Sequence, residues 1–259
     1  MDLGLRDRVA LVTGASSGIG RAVAVELARE GARVFLVARR EAELRAAVEE
    51  IRAAGGEADF LATDLSEPDA AGRVLEAAGA RFGPVEVLFA NTGGPPRARA
   101  ADAGEAGFRE AADRLLHSML RLVQGSLPAM QRAGWGRILV VTSHLVPEPG
   151  EGMVYSNSLR AAVTAYAKTL SREVAAAGIT VNCLAPGYIA TDRSEQLLTA
   201  RARERGVGLE QARAERERSI PAGRVDEAAG VAAFLLGERA SYLTGQTIVV
   251  DGGVMRALV

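Results

Sequence analysis

Short runs of apolar and β-branched residues alternate along the chain with longer stretches whose apolar residues recur every three or four positions. The first pattern predicts buried strands at Val9–Thr13, Arg33–Ala38, Ala58–Ala62, Val85–Ala90, Arg137–Thr142, Thr180–Leu184 and Thr247–Val250. The second predicts helices at Gly18–Glu30, Glu41–Ala54, Glu67–Phe82, Ala106–Ala133, Val154–Ala177 and Asp226–Leu236. Strands without polar alternation are buried on both faces, and intervening helices supply that cover. The expected fold class is α/β: one doubly wound Rossmann-type parallel sheet of about seven strands, helices on both faces, in a single domain over residues 1–259.

The stretch Thr191–Ser219 breaks this rhythm. It is dense in arginine and glutamate and poor in large apolar groups. Its pattern predicts a solvated helix pair laced with ion pairs, placed as a lid-like insertion after a strand's carboxyl end.

Composition narrows the class of partner. With a formal net charge of −1, the chain is not expected to be a nucleic-acid or anionic-membrane binder. No apolar run approaches the roughly 18 residues that span a bilayer. Charged residues at Asp2, Arg6, Asp7 and Arg8 do not read as a signal peptide, so a cytoplasmic address is expected. The lone Cys183 excludes an internal disulfide and any cysteine-based metal site, and no metal is expected. Lys168 is the only lysine among 31 basic residues.

The turn between the first strand and first helix reads Thr13-Gly14-Ala15-Ser16-Ser17-Gly18-Ile19-Gly20. Glycines there allow a tight turn and close approach of the backbone to a pyrophosphate, which the helix N-terminus attracts. The second strand ends Ala38-Arg39-Arg40 with no acid at its tip. A carboxylate there would bind the ribose 2′-hydroxyl of NAD, whereas an arginine, here Arg39, accommodates the 2′-phosphate of NADP(H).

The T-G-x-x-x-G-I-G string resembles the short-chain dehydrogenase/reductase family, and further landmarks follow in order. Asp64-Leu65 resembles the family's adenine-side pair, and Ala90-Asn91-Thr92-Gly93 its N-A-G motif. Pro186-Gly187 with Ile189 and Thr191 resembles the segment that closes over the nicotinamide, and Tyr242–Gln246 and Val250–Gly253 the C-terminal signature. The resemblance spans essentially the whole chain and is nearest to the 3-oxoacyl-acyl-carrier-protein reductase branch. It implies a homo-oligomer, a tetramer in this branch, acting on a small-molecule carbonyl or alcohol. It also implies that Gly14, Ser16, Ser17, Gly18, Ile19, Gly20, Arg39, Asp64, Leu65, Asn91, Gly93, Arg160, Pro186, Gly187, Ile189 and Thr191 hold the cofactor.

The catalytic pattern departs from the family, whose reductases use Asn, Ser, Tyr and Lys. Ser143 fits the serine position, but Ser156 falls at the tyrosine, Arg160 at the lysine and Leu115 at the asparagine. Tyr155 precedes the expected place by one residue, a rotation of about 100° if it is already helical. The expected site is Ser143 with Arg160, the proton coming from Tyr155 or from water held by Ser156. His144 is a further titratable group beside Ser143. Three readings follow: an NADP(H)-dependent carbonyl/alcohol oxidoreductase with a remodelled proton donor, a dinucleotide-binding protein with little turnover, or a non-redox enzyme similar to halohydrin dehalogenases.

Overall fold

Strands form where the apolar runs lie. In the computed structural model, which describes residues 2–218 and 220–257, they are β1 (Val9–Thr13), β2 (Arg33–Ala38), β3 (Glu57–Ala62), β4 (Val87–Ala90), β5 (Gly136–Val141), β6 (Ile179–Pro186) and β7 (Thr247–Val250). All seven pair in parallel in one sheet, in the order β3-β2-β1-β4-β5-β6-β7. Every residue of β1, β4 and β5 is buried, as strands covered on both faces must be.

Helices α1 (Gly18–Arg29), α2 (Glu41–Ala53) and α9 (Val225–Leu236) cover one face, packing Val23, Leu27, Leu44, Ile51, Ala232 and Leu236 against the strands. Helices α3 (Ala70–Phe82), α5 (Ser118–Ala133) and α6 (Val154–Val174) cover the other through Val74, Phe82, Leu122, Met130, Val163 and Leu170. The crevice that this topology opens lies at the strands' carboxyl ends between the paired β1 and β4, whose outgoing connections lead to opposite sides of the sheet.

Most strand and helix ends fall within one or two residues of the pattern-based expectation, and three helical segments differ in kind. The helix expected from Glu67 begins at Ala70, because the Asp64 carboxylate accepts from both the backbone N–H and the hydroxyl of Ser66 and holds the chain in a turn. The long helix expected over Ala106–Ala133 is α4 (Glu105–Ala112), a π-helical turn at Asp113–His117, then α5. The hydroxyl of Ser118, the first residue of α5, donates back to the Arg114 carbonyl of that turn at 2.6 Å. The last residues expected in α6, Ala175–Ala177, form a separate 3₁₀ turn.

The arginine-rich stretch folds as two helices, α7 (Asp192–Arg205) and α8 (Leu209–Glu217); its final expected residue, Ser219, lies outside the described residues. Leu198, Ala202 and Ala212 give the pair a small apolar seam, and Arg213–Glu195 and Arg205–Glu215 bridge it at 2.6 and 2.7 Å. Arg97, in the loop after β4, reaches Glu204 of α7 at 3.0 Å, so the pair is pinned across the crevice. Among the described residues no helix is long and apolar enough to cross a membrane.

Candidate active site

The crevice floor starts at the β1–α1 turn. Gly14 and Gly18 have φ of +62° and +57°, a region that side chains rarely adopt. A Cβ on Gly14 would stand 2.8 Å from both the backbone oxygen and the side-chain nitrogen of Asn91. Asn91 is held there from β1: its N–H donates to the Thr13 hydroxyl, which donates to its carbonyl, both at 2.8 Å. Gly20, in the first turn of α1, is tighter still. A Cβ on it would overlap the Gly14 carbonyl oxygen and lie 2.7 Å from the Gly14 carbonyl carbon. Ser16, Ser17 and Ile19 complete this turn, whose backbone N–H groups and helix terminus could seat a phosphate.

The two arginines after β2 part company. Arg40 lies against the turn, donating to the Ser17 hydroxyl at 2.7 Å and the Ser16 hydroxyl at 3.1 Å. Arg39 turns toward Asp64, 3.9 Å away, and both side chains are exposed. Burial alone would raise the Asp64 carboxyl, but hydrogen bonds from Ser66 and the charges of Arg39 and Arg114 outweigh it and hold it below the usual carboxylate range. The sequence assigns the 2′-phosphate to Arg39 alone, although its neighbour Arg40 stands at the same strand tip and lies closer to the turn. Leu65 beside Asp64 packs partly into the core. These groups fit a dinucleotide with an extra phosphate: a glycine cradle that a Cβ would fill, and two guanidinium groups at its ribose end.

On the far side of the crevice, β6 ends at Pro186 and the chain runs through Gly187 and Ile189 to Thr191, which caps α7. The Thr191 hydroxyl accepts from the Ser194 N–H at 3.2 Å. A Cβ on Gly18 would lie 3.1 Å from the Thr191 methyl group, so this segment overhangs the phosphate turn. A Cβ on Gly93, by contrast, would meet open space within 4 Å, at the crevice edge.

Ser143 follows β5 directly. Its hydroxyl oxygen accepts from the Leu145 N–H at 3.1 Å, which leaves its own proton to donate. His144 Nδ1 lies 3.0 Å from the Pro186 carbonyl and fixes the ring to the end of β6. Arg160 on α6 is buried, with its guanidinium donating to the Val141 carbonyl at 2.6 Å, two residues before Ser143. Burial, and then the nearby Arg193 charge, push Arg160 down to about 10, so it remains cationic at neutral pH. Ser156, one turn before Arg160, is buried, and its hydroxyl makes no hydrogen bond to protein among the described residues.

Tyr155 does not join this group. It is the second residue of α6 and therefore already helical. Its ring meets Phe108 of α4 edge-on, with centroids 4.9 Å apart, and its hydroxyl abuts Gly107, where a Cβ would overlap it. Ala111, Leu115 and Leu159 complete the apolar pocket around it. The reason is the single-residue offset, which turns the phenol onto the α4 side of the helix. Leu115, at the position where the family resemblance expects asparagine, is buried against this tyrosine. Two departures from the family pattern are thus one packing unit.

Comparison with known proteins agrees with this architecture. The model of the family described as short chain dehydrogenase matches residues 8–202. The chain is 33% identical over 250 residues to the 3-oxoacyl-[acyl-carrier-protein] reductase FabG of Escherichia coli (strain K12), covering 95% of this chain and 97% of that one. It is 31% identical over 256 residues to the NADPH-dependent reductase BacG of Bacillus subtilis (strain 168), covering 97% and 99%. The crystal structure of L-sorbose reductase from Gluconobacter frateurii, complexed with NADPH and L-sorbose, superposes with a TM-score of 0.93 at 30% identity over 100% of both chains. The chain belongs to the short-chain dehydrogenase family, and it is an oxidoreductase of that family.

Proposed function

We propose that the protein is an NADP(H)-dependent reductase of a small-molecule carbonyl, 3-oxoacyl reductase-like in scaffold, with a remodelled proton-donor site. The observation that carries the cofactor choice is the Arg39–Arg40 pair, with Arg40 on the Ser16 and Ser17 hydroxyls and no acid at the tip of β2. Gly14, Gly18, Ile19 and Gly20 would seat the pyrophosphate, and Asp64, Leu65, Asn91 and Gly93 the adenosine and ribose side. Pro186, Gly187, Ile189 and Thr191 would cover the nicotinamide. When bound, the cofactor supplies the hydride that reduces the carbonyl carbon. Ser143 polarises the carbonyl by donating its free hydroxyl proton as a hydrogen bond. Arg160 binds ribose hydroxyls and stabilises the negative charge that develops on oxygen. Water held by the Ser156 hydroxyl delivers the proton to that oxygen and takes up a proton from bulk solvent in its place. The apolar packing of Tyr155 favours this route over the phenol.

A charged hydrogen bond contributes about 1.5–3 kcal/mol, so the 2′-phosphate gives NADPH an advantage of roughly 10- to 100-fold over NADH. Calorimetric titration of the two checks this, and equal affinities would remove the basis for the cofactor choice. Arg39→Asp/Arg40→Asp is expected to reverse the preference.

The homotetramer implied by the family resemblance is part of the same proposal. It is supported by the edge strand β7, whose four residues are all half-buried, and by the fully exposed Tyr242. Light scattering is expected to give the mass of four chains; a monomer at micromolar concentration would refute it.

A further inference from the structure

We propose that His144 is a positioning residue for the nicotinamide end of the cofactor. Its ring ties the turn that carries Ser143 to the segment that covers the nicotinamide. This rests on the reading that Pro186, Gly187, Ile189 and Thr191 form that cover. The regular pairing of β5 with β6 ends at Val141 and Leu184. Past that pair, the Thr142 N–H donates to the Leu184 carbonyl at 2.7 Å, and its hydroxyl reaches the same oxygen at 3.3 Å. The His144 N–H donates to the Pro186 carbonyl at 3.3 Å, which is long for a backbone bond. The side chain reinforces it, because Nδ1 reaches the same oxygen at 3.0 Å.

That contact fixes the chemistry of the ring. A carbonyl oxygen only accepts, so Nδ1 carries a proton whether the imidazole is neutral or cationic. Among the described residues Nε2 makes no hydrogen bond to protein, so the Pro186 carbonyl is the polar anchor of this side chain. Pro186 is where such a tie has most effect. A proline has no N–H of its own to pair. On the other side, the Gly187 N–H donates to the Val250 carbonyl at 2.9 Å, and a Cβ on Gly187 would stand 2.5 Å from the Asp251 Cβ. The cover therefore leaves the sheet from a point gripped by β7 on one side and by His144 on the other. Ser143 lies between Thr142 and His144, both bonded to β6, so the same ties set where its hydroxyl stands relative to the nicotinamide. Without the ring, the cover keeps only the 3.3 Å backbone bond to this turn.

The test compares two ligands that differ only in the nicotinamide: NADPH and 2′-phospho-ADP-ribose, each titrated calorimetrically into the parent and into His144 variants. The parent is expected to bind NADPH more tightly than the fragment. His144→Leu keeps the bulk and removes the donor. It is expected to lose about three- to tenfold in NADPH affinity, the scale of one neutral hydrogen bond, with fragment affinity unchanged. His144→Asn, whose side-chain N–H can donate to the same carbonyl, is expected to recover most of that loss. General damage to the fold weakens both ligands together, so the ratio separates positioning from folding. If His144→Leu fails to fold by circular dichroism, His144→Ala takes its place. An unchanged ratio in the folded variant overturns the proposal, as does equal weakening of both ligands or a His144→Asn protein no better than His144→Leu. A parent that binds the two ligands equally overturns the reading of the cover, and the proposal with it. A parent that binds neither overturns the cofactor reading as well.

Discussion

Gly20→Ala is expected to abolish measurable NADPH binding while leaving a folded protein. The added methyl group would overlap the Gly14 carbonyl oxygen and approach the Thr13 carbonyl oxygen to 3.0 Å, and both obstacles are backbone. No rotamer change relieves such a contact, so the β1–α1 turn must move away from α1. The turn is also held from the other side. Gly14 is wedged against Asn91, which is tied to Thr13 by reciprocal 2.8 Å hydrogen bonds. Displacing it misaligns the phosphate-facing N–H groups, each a charge-assisted contact of about 1.5–3 kcal/mol. Loss of two such contacts weakens binding by roughly 10²–10⁴-fold. Gly230→Ala is the control: it lies exposed within α9, nothing stands within 4 Å of its added Cβ, and its φ is negative. That replacement is expected to stabilise by about 0.5–1 kcal/mol with NADPH affinity unchanged. Calorimetry and thermal melts of both variants read the contrast. A Gly20→Ala protein that binds NADPH like the parent would show that this turn is not the phosphate seat.

The sheet and its crevice were legible because a strand buried on both faces cannot hide its apolar run, and a glycine string between strand and helix has few other uses. Val9–Thr13 and Arg33–Ala38 coincide with β1 and β2 to the residue. The π-helical turn at Asp113–His117 was not legible, since one extra residue barely disturbs a three-to-four repeat across a long helix. Tyr155 was legible as a problem but not as an answer. Sequence gives its offset, and only the packing of Phe108, Leu115 and Leu159 says which way the ring goes. Ser156 and Arg160 were legible at once, as two departures from the family pattern four residues apart on one helix.

Ser156→Tyr/Arg160→Lys is expected to raise kcat/KM on neutral ketones by roughly 10²–10⁴-fold, the range that a positioned general acid contributes. On the proposed mechanism Ser143 supplies the hydrogen bond to the carbonyl and Arg160 a fixed positive charge, but neither yields a proton at neutral pH. Arginine stays protonated, and a serine hydroxyl is a far weaker acid than a phenol. On that mechanism proton delivery through water at Ser156 is the slow link. A phenol at residue 156 begins from a buried position whose hydroxyl makes no competing protein hydrogen bond. It projects from α6 about 100° away from the Tyr155 face, so it avoids the Phe108–Leu115 pocket. Lysine at residue 160 keeps the charge and gains a proton that can be exchanged. Either single replacement is expected to give less than a tenth of the double's gain, because the two groups act as a unit. Tyr155→Phe is expected to leave kcat/KM within about twofold, since the hydroxyl it removes faces Gly107 rather than the cleft. NADPH oxidation measured across these four variants separates the outcomes. Loss of activity in Tyr155→Phe would make that phenol the donor after all. A parent that binds NADPH and turns over no carbonyl, while the double variant is active, would make the natural protein a cofactor-binding protein without appreciable turnover.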